Sequence, residues 1–368
     1  MIVLLVLLGA FAAFVCVAAA VDIVPVVRTW VERIGIGSLS EAQAEAKMQA
    51  VAKAWLLKTP SVPVSDQTRF TLPERVKGTY KSNKVQAWQQ GALLLGVLQS
   101  GDTESVEAFL KETLADGQWK QSVQSADFAL LAYAVLLASP DKAAIRPAMN
   151  EMYRFLQTDD TVPYNRNIAD IRFVDTVGMV CPFLYLYAKT YDCPEARALC
   201  MRQLREYAAC GVHDKLCLPV HCFRKSDGAP LGIYGWGRGC GWYALALSEL
   251  LTMGADVADL AVPFAGALLS CQQDSGAWSR QLLCESGGES SATAMLGYFM
   301  QTLYGVTNTD LYKQSAVRAG NCLRSATRKN GMVDFAQGDT KGIGFYSSKL
   351  SPMPASQGFA LRLTEVLR

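Results

Sequence analysis

The feature that most constrains the fold is an alternation between two kinds of helical segment, which begins near Glu41. Segments of the first kind are apolar on nearly all sides, and they recur six times along the chain. They span residues 87–99, 126–138, 175–191, 241–251, 291–304 and 355–367. A helix that is apolar all round is expected to be buried on every side. All six are too short, or too interrupted by polar residues, to cross a membrane.

Segments of the second kind are amphipathic and lie between the first. In residues 195–211, leucine, cysteine and tyrosine share one helical face, whereas arginine, glutamine and glutamate occupy the other. Residues 41–58 and 310–329 follow the same pattern. Six buried helices surrounded by six amphipathic ones predict an all-α fold, the (α/α)6 barrel, over residues 41–368. A helical solenoid is the alternative, and the lack of a fixed repeat period favours the barrel.

The N-terminus is a separate unit. Residues 1–21 contain no charged side chain, and a run of that length can cross a bilayer as a helix. The nearby basic residues Arg28, Arg33 and Lys47 all follow the run, so the positive-inside rule predicts a membrane helix with the folded domain in the cytoplasm. Residues 22–40 are then predicted to be a linker. A cleaved signal peptide, and hence an exported domain, is the alternative, although a basic segment before the apolar run is missing.

Charge and cysteine content exclude several classes of protein. The formal net charge is +2, without a block of like charges, which argues against a nucleic-acid-binding protein. The 11 cysteines are odd in number and scattered, whereas secreted disulfide frameworks are dense and even-numbered. We therefore expect reduced thiols.

Residues 213–222 contain two histidines and two cysteines, which are the ligand types that zinc prefers. Pro219 interrupts any continuous helix that could stack them, and their spacing matches no common paired-ligand pattern. We therefore expect neither a metal nor a cofactor, and a zinc enzyme is only an alternative.

In the predicted barrel the inner helices run parallel, so their N-terminal ends meet at one rim. Helix N-termini present free N–H groups and the positive end of the helix dipole, which favours an anionic ligand. The polar and aromatic residues near these ends are Asn83, Gln86, Trp88, Gln121, Gln124, Asp127, Arg172, Asp175, Trp236, Arg238, Trp242, Glu285, Glu289 and Ser290. Aromatic rings mixed with carboxylates, amides and arginine suit a sugar, whose C–H faces stack on rings and whose hydroxyls need donors and acceptors.

The stretch "YGWGRGCGW" (234–242) places glycines among two tryptophans and an arginine, just before an apolar helix. Glycines permit a tight turn and positive φ, which would aim Trp236 and Trp242 into a cavity. Arg238 would present a planar fork suited to a carboxylate. Packing of the tryptophans into the core is an equally good interpretation of the stretch alone.

Two segments carry a resemblance to a known family. "RFVDTVGMVCPFLYLYAKTY" (172–191) together with "YGWGRGCGWYALAL" (234–247) resembles the unsaturated uronyl hydrolases of glycoside hydrolase families 88 and 105. These are the unsaturated glucuronyl and rhamnogalacturonyl hydrolases. Residues 289–305 and 355–363 are similar to later family segments, and the resemblance covers about 41–368. It implies an (α/α)6 barrel that hydrates the C4=C5 double bond of an unsaturated uronyl residue at the end of an oligosaccharide.

The resemblance also implies roles for individual residues. Asp175 would be the general acid and base, with a pKa raised by burial beside Phe173, Val174 and Val177. From the sequence pattern alone, Asp175 would be interpreted as the N-cap of its helix. His221 falls where the family often carries a histidine on the substrate side, and a surface or loop histidine is the alternative.

One position departs from the family pattern. The family's second aspartate aligns with Gln124, and Asp127 lies one helical turn further on the same face. A glutamine can hold a sugar hydroxyl but carries no charge. A catalytically silent sugar-binding or assembly protein on the membrane is therefore the alternative function. The predicted substrate-binding residues are Trp88, Gln124, Asp127, His221, Trp236, Arg238 and Trp242.

Overall fold

The helices alternate between an inner and an outer position along the chain. The computed structural model describes residues 1–62, 71–77, 85–138, 142–156, 161–284, 286–340 and 342–368. The helices are α1 (Ile2–Arg33), α2 (Glu41–Leu57), α3 (Thr71–Val76), α4 (Ala87–Gln99), α5 (Thr103–Thr113), α6 (Phe128–Ala138), α7 (Lys142–Leu156), α8 (Val174–Tyr191), α9 (Pro194–Gly211), α10 (Gly237–Thr252), α11 (Ala258–Cys271), α12 (Ser290–Thr307), α13 (Asp310–Ser325) and α14 (Pro354–Val366).

The inner ring consists of α4, α6, α8, α10, α12 and α14, the helices predicted to be buried. Each packs against the next, and α14 packs against α4, so the ring closes on itself. The outer helices α2, α5, α7, α9, α11 and α13 each pack against at least one inner helix. This closed double ring confirms the (α/α)6 barrel and excludes the open solenoid.

Sequence explains why these helices take the inner position. Every residue from Phe128 to Leu136 in α6 is buried, as is every residue from Gly237 to Leu250 in α10. At the seam between α4 and α14, a Cβ added at Gly96 would lie 2.3 Å from the carbonyl oxygen of Gly358. The ring closes there by direct approach of two backbones, which only glycine permits.

Short strands connect the helices at the rim. They are β1 (Leu114–Ala115), β2 (Gln118–Trp119), β3 (Ile171–Phe173), β4 (Val220–Arg224), β5 (Pro230–Tyr234), β6 (Ala336–Gln337) and β7 (Leu350–Ser351). Strands β3, β4 and β5 form an antiparallel sheet in that order, and β6 pairs antiparallel with β7. Because β3 leads directly into α8, and β5 leads into α10 within three residues, the sheet sets where those two inner helices begin.

The N-terminal helix differs from its prediction. Helix α1 continues without a break to Arg33, so much of the predicted linker at 22–40 is helical and only residues 34–40 connect it to α2. The reason is tertiary: Glu32 and Arg33, in the last turn, form ion pairs with Arg328 and Asp334 of the barrel. Within the described residues, α1 is the one helix long and apolar enough to cross a membrane on length and composition, and its apolar side chains are largely exposed.

Candidate active site

A cavity of about 230 Å³ opens at the N-terminal ends of three inner helices, α4, α8 and α10. Helix α4 contributes Trp88, helix α8 contributes Asp175, and helix α10 contributes Arg238 and Trp242. The full lining is Trp88, Tyr164, Ile168, Phe173, Asp175, Met179, His221, Trp236, Arg238, Trp242, Asp339, Thr340 and Gly342. Six of the residues predicted from the sequence therefore share one cavity, with aromatic rings next to a carboxylate and a guanidinium.

Asp175 is the second residue of α8 and does not cap it. The N-cap is Phe173, and no side chain caps this end of the helix. The Oδ2 atom of Asp175 is buried and has no hydrogen-bond partner among the described residues, while the side chain as a whole retains 18% exposure. Burial raises the pKa of Asp175 to about 7, opposed by the charge of Arg238 and assisted by that of Asp339. A proton is therefore available near neutral pH.

His221 lies on β4 and is buried, so it is not a surface or loop histidine. Its Nε2 atom is 3.7 Å from Oδ2 of Asp175. Burial, with the charge of Arg238, lowers the pKa of His221 to about 4, which leaves the ring neutral near pH 7.

The hydroxyl group of Tyr346 contacts the other ring nitrogen of His221. The Tyr346 hydroxyl lies 3.0 Å from Nδ1 of His221 and accepts a hydrogen bond from the Ile233 N–H at 3.1 Å. The hydroxyl is thus placed to donate its own hydrogen to Nδ1. In the tautomer in which the hydroxyl donates to Nδ1, the ring proton of the neutral imidazole lies on Nε2, the nitrogen that faces Asp175.

Arg238 and Trp236 donate hydrogen bonds to Gln337, the last residue of β6, and to Gly338, which follows it. The Arg238 Nη1 donates to the Gln337 carbonyl at 2.6 Å, and Nη2 donates to the Gly338 carbonyl at 2.9 Å. The Trp236 Nε1 donates to Oε1 of Gln337 at 2.8 Å. Arg238 is buried, and its guanidinium lies 5.2 Å from the centre of the Trp236 ring. Its positive charge thus forms part of the cavity wall.

The tryptophans satisfy both interpretations left open by the sequence, because Trp236 and Trp242 line the cavity yet are each 1% exposed. Trp242 packs edge-on against Trp88, with ring centres 5.6 Å apart. The glycines also differ from expectation. Gly235 has φ of +70°, whereas Gly237 begins α10, where an added Cβ would lie 2.3 Å from the Ser279 carbonyl. The first glycine makes the turn, and the second allows close packing.

Neither Gln124 nor Asp127, the two candidates for a second acidic position, lines the cavity. Gln124 is exposed, its amide donates to Ser122 at 3.2 Å, and it does not line the cavity, contrary to its predicted placement. The loop between β2 and α6 turns it outward. Asp127 directly precedes α6, is half-buried, and accepts a hydrogen bond from the Ser125 hydroxyl. Burial raises the pKa of Asp127, and the charge of Asp339 adds to the effect.

Asp339 is a site residue that sequence reasoning missed. It lines the cavity and accepts a hydrogen bond from Nε2 of Gln86 at 2.7 Å. Asp127, Asp175 and Asp339 all affect the hydroxyl group of Tyr164. Burial raises the pKa of Tyr164 well above its usual value, and the charges of these three aspartates raise it further. Of these three aspartates, Asp175 and Asp339 line the cavity together with Tyr164. Asp339 follows a two-residue strand and carries no periodic signal, so the sequence alone had no means of placing it.

The other described residues at this rim make hydrogen bonds that stabilise the fold. Glu289 caps α12 by accepting from the backbone N–H groups of Ser291 and Ala292, and it also accepts from the N–H of Gln337 at 2.8 Å. Arg172 is buried and donates to Thr161 at 2.7 Å. The remaining contacts pair Gln121 with Gln90 and Ser290 with Ser356. Asn83 and Glu285 lie outside the described residues.

His213, one of the four zinc-type ligands within residues 213–222, makes hydrogen bonds inside its own loop. His213 lies in a turn, and its Nδ1 accepts from the N–H groups of Lys215 and Leu216. Over the described parts of the chain, no three His, Cys, Asp or Glu side chains are grouped as a metal site would require.

Comparison with solved structures places the fold. A possible member of glycoside hydrolase family 105 from Klebsiella pneumoniae is 19% identical, with 90% of this chain and 94% of that chain covered and a TM-score of 0.71. Another possible member, from Salmonella enterica, is 18% identical over 87% and 93%, with a TM-score of 0.71. An unsaturated glucuronyl hydrolase specific for heparin is 12% identical over 89% and 97%, with a TM-score of 0.65. At these identities the likeness shows the fold, an α/α barrel.

A search of curated proteins found no match. The family model described as Glycosyl Hydrolase Family 88 matches residues 64–364, which is most of the chain and includes every residue that lines the cavity. The resemblance noted in the segments around Asp175 and Trp236 thus extends over all six inner helices of the barrel. The chain belongs to glycosyl hydrolase family 88.

Proposed function

We propose that this glycoside hydrolase acts on oligosaccharides that end in a 4,5-unsaturated uronyl residue, by hydration of the double bond. The observation that carries the proposal is the unpartnered Oδ2 of Asp175, buried in a cavity of aromatic rings with a pKa raised to about 7. A carboxylic acid that keeps its proton near neutral pH is the group that such a reaction needs.

The first step is proton transfer to carbon. In the unsaturated ring, C4=C5 is joined to the ring oxygen as a vinyl ether, so protonation of C4 by Asp175 places positive charge on C5 and that oxygen. The nearby carboxylates Asp127 and Asp339 favour this developing charge electrostatically. Asp175 is left as a carboxylate.

The second step returns the proton. A water molecule adds to C5 and gives one proton to Asp175, which restores the acid. The product is a hemiketal at C5, whose ring opens to a ketone at C5 and a hemiacetal at C1. The hemiacetal collapses to an aldehyde, which breaks the bond from C1 to the glycosidic oxygen and releases the remaining sugar with its hydroxyl group. The Nε2–H of neutral His221, 3.7 Å from Oδ2 of Asp175, is placed to orient this water or the carboxylate. One water molecule is consumed, and the acid is regenerated.

Recognition of the substrate rests on the same wall of the cavity. Among the described lining residues, Arg238 is the one side chain that is cationic near neutral pH, and it supplies positive charge for the uronate carboxylate. Trp88, Trp236 and Trp242 supply apolar surface for the C–H face of the ring.

The test is turnover of defined unsaturated disaccharides produced by polysaccharide lyases from pectin and from glycosaminoglycans. Loss of ultraviolet absorbance from the conjugated double bond reports hydration. Release of the second sugar, measured by mass spectrometry, reports ring opening. Binding of the disaccharides without loss of absorbance would contradict the proposal and favour the catalytically silent sugar-binding protein.

We also propose that α1 anchors the protein in a membrane, with the barrel on the cytoplasmic side. The exposed apolar surface of residues 2–21 and the basic residues Arg28 and Arg33 that follow it support this arrangement. Protease digestion of sealed, right-side-out cells should leave the barrel intact. Digestion from outside, or a mature N-terminus near Val21, would contradict it.

A further inference from the structure

The hairpin formed by β6, β7 and the described residues between them (338–340 and 342–349) builds one wall of the cavity. It supplies Asp339, Thr340 and Gly342 to the lining, and Tyr346 to Nδ1 of His221. Arg238 donates to carbonyls of the same hairpin. The position of the Asp339 carboxylate, the hydrogen bond at Nδ1 of His221 and the position of the Arg238 guanidinium therefore all depend on where this hairpin lies.

The base of the hairpin is held by the end of the N-terminal helix. Arg33, the last residue of α1, donates from Nε to Oδ2 of Asp334 at 2.8 Å and from Nη2 to Oδ1 at 3.0 Å. The same Nη2 donates to the carbonyl of Leu350, the first residue of β7, at 2.7 Å. The guanidinium also lies 4.9 Å from the centre of the Phe335 ring. A single side chain thus ties both ends of the hairpin together.

Asp334 depends on this contact. Its side chain is completely buried between Arg33 and Arg328, and the Arg328 Nε donates to Oδ2 at 2.7 Å. Burial by itself would raise the pKa of Asp334, but the hydrogen bonds from the two arginines lower it below its usual value. Glu32, the residue before Arg33, forms an ion pair with Arg328. Two residues of α1 therefore complete a charge network that a buried carboxylate requires.

We propose that Arg33 is a positioning residue for the active site, so that the end of α1 belongs to the catalytic unit and is more than a tether. The inference rests on the proposed function for its kinetic consequence. Both an uncleaved anchor and a signal peptide cut near residue 21 would keep Arg33 attached to the barrel. Loss of the guanidinium frees the hairpin at its base, and misplacement of catalytic groups by about 1 Å costs up to roughly 10²-fold in rate.

The test compares Arg33→Met with Arg28→Met in the full chain, solubilised in mild detergent. Arg28 is the control because it lies on the same helix, is exposed, and pairs with Oε1 of Glu32, whereas Arg328 of the network uses the other oxygen, Oε2. We expect Arg33→Met to lower kcat on the unsaturated disaccharide about tenfold or more, with a smaller change in KM. Amide hydrogen exchange should become faster within residues 336–351. Arg28→Met should behave as the wild type in both measurements.

Arg33→Lys sharpens the test. A lysine keeps a positive charge beside Asp334 but has no planar fork to join both carboxylate oxygens with the Leu350 carbonyl. We expect a kcat between those of the wild type and Arg33→Met, and this variant also serves if Arg33→Met does not fold. Wild-type kcat together with wild-type exchange in Arg33→Met, or in Arg33→Lys where it is used instead, would overturn the inference.

Exchange that rises equally over the whole barrel would also overturn it, since Arg33 would then be an ordinary stability contact. If the wild type turns over no unsaturated uronide, the proposed function fails, and the exchange measurement still decides whether Arg33 holds the hairpin.

Discussion

Two acidic side chains on neighbouring inner helices have opposite surroundings. Asp175 lies in the first turn of α8, and its Oδ2 has no hydrogen-bond partner among the described residues. Glu249 lies in the last turn of α10, is 2% exposed, and is fully engaged. It accepts from both terminal nitrogens of Arg362 and from the hydroxyl of Tyr133.

The partners of Glu249 are themselves fixed by the pair. The carboxylate raises the pKa of Arg362 against the effect of burial, and burial followed by the charge of Glu249 raises the pKa of Tyr133 well above its usual value. The Arg362 guanidinium also lies 4.1 Å from the centre of the Tyr298 ring. These contacts join α6, α10, α12 and α14 across the barrel interior. The carboxylate of Glu249 therefore stabilises the packing of four inner helices at one end of the barrel.

The difference follows from position along the helix. A carboxylate near a helix C-terminus meets the negative end of the dipole and needs a cation when it is buried. A carboxyl group in the first turn has no cation to replace, so one oxygen, Oδ2 of Asp175, can remain without a hydrogen bond at a cost of about 1–3 kcal/mol. That cost is tolerated where an unpaired acid is needed for chemistry.

The largest expected effect is on catalysis at the unpaired carboxylate. Asp175→Asn keeps the shape of the side chain and removes the transferable proton, so turnover should fall by about 10²–10⁴-fold while sugar binding persists. Thermal stability should stay the same or rise, because no unpaired carboxylate remains to be buried. Steady-state kinetics and thermal melts measure the two effects. Near-normal turnover of a confirmed substrate by Asp175→Asn would disprove the mechanism.

The second effect is on stability at the paired carboxylate. Glu249→Gln leaves the Arg362 charge buried without its counterion, which should cost about 3–5 kcal/mol in the free energy of unfolding. Turnover per folded molecule should change little, because the pair does not line the cavity. Denaturant unfolding gives the stability, and the double variant Glu249→Gln, Arg362→Met should recover much of it. A loss of activity larger than the loss of folded protein would contradict the assignment of Glu249 to stability alone.

The smallest effect is a dependence on pH. Because protonation of C4 needs the acid form of Asp175, kcat/KM should fall above about pH 7, by roughly tenfold per pH unit. The raised pKa also means that the folded state binds this proton more tightly than the unfolded state. Its contribution to stability is thus present at acid pH and is lost as pH rises toward about 7.

The control for that profile is Glu249→Gln, which should keep the same decline in kcat/KM. The melting temperature of Asp175→Asn relative to the wild type should increase between about pH 4 and pH 7. A flat activity profile through pH 8 would contradict the assignment of Asp175 as the acid.

The fold was predictable because its signal is local. Uninterrupted apolar character marks each inner helix, and six such segments imply a closed ring. The path of α1 was not predictable, since the contact that orders its last turn joins Arg33 to Asp334 across most of the sequence. The apolar run ends before that turn, and nothing near it in the sequence reveals the distant aspartate.

The candidate site was predictable only in part. The glycine and tryptophan stretch and the segment around Asp175 mark helix starts, so Trp236, Arg238, Trp242 and Asp175 fall together once the barrel is assumed. Tyr346 and Asp339 come from a hairpin whose paired strands are two residues long, too short for any periodic pattern. Gln124 and Asp127 were both predicted to bind substrate, yet neither lines the cavity, because the loop between β2 and α6 exposes Gln124 and leaves Asp127 half-buried beside Ser125.

The glycine seam between α4 and α14 has a consequence for synthesis of the chain on the ribosome. The two helices that close the ring lie at opposite ends of the barrel sequence, so the apolar face of α4 that α14 covers must wait for nearly the whole barrel to be translated. Contacts between distant segments form slowly, and exposed apolar surface invites aggregation in the meantime. A nascent barrel of this kind would depend on chaperones until α14 emerges, and truncation before Pro354 would leave a ring that cannot close.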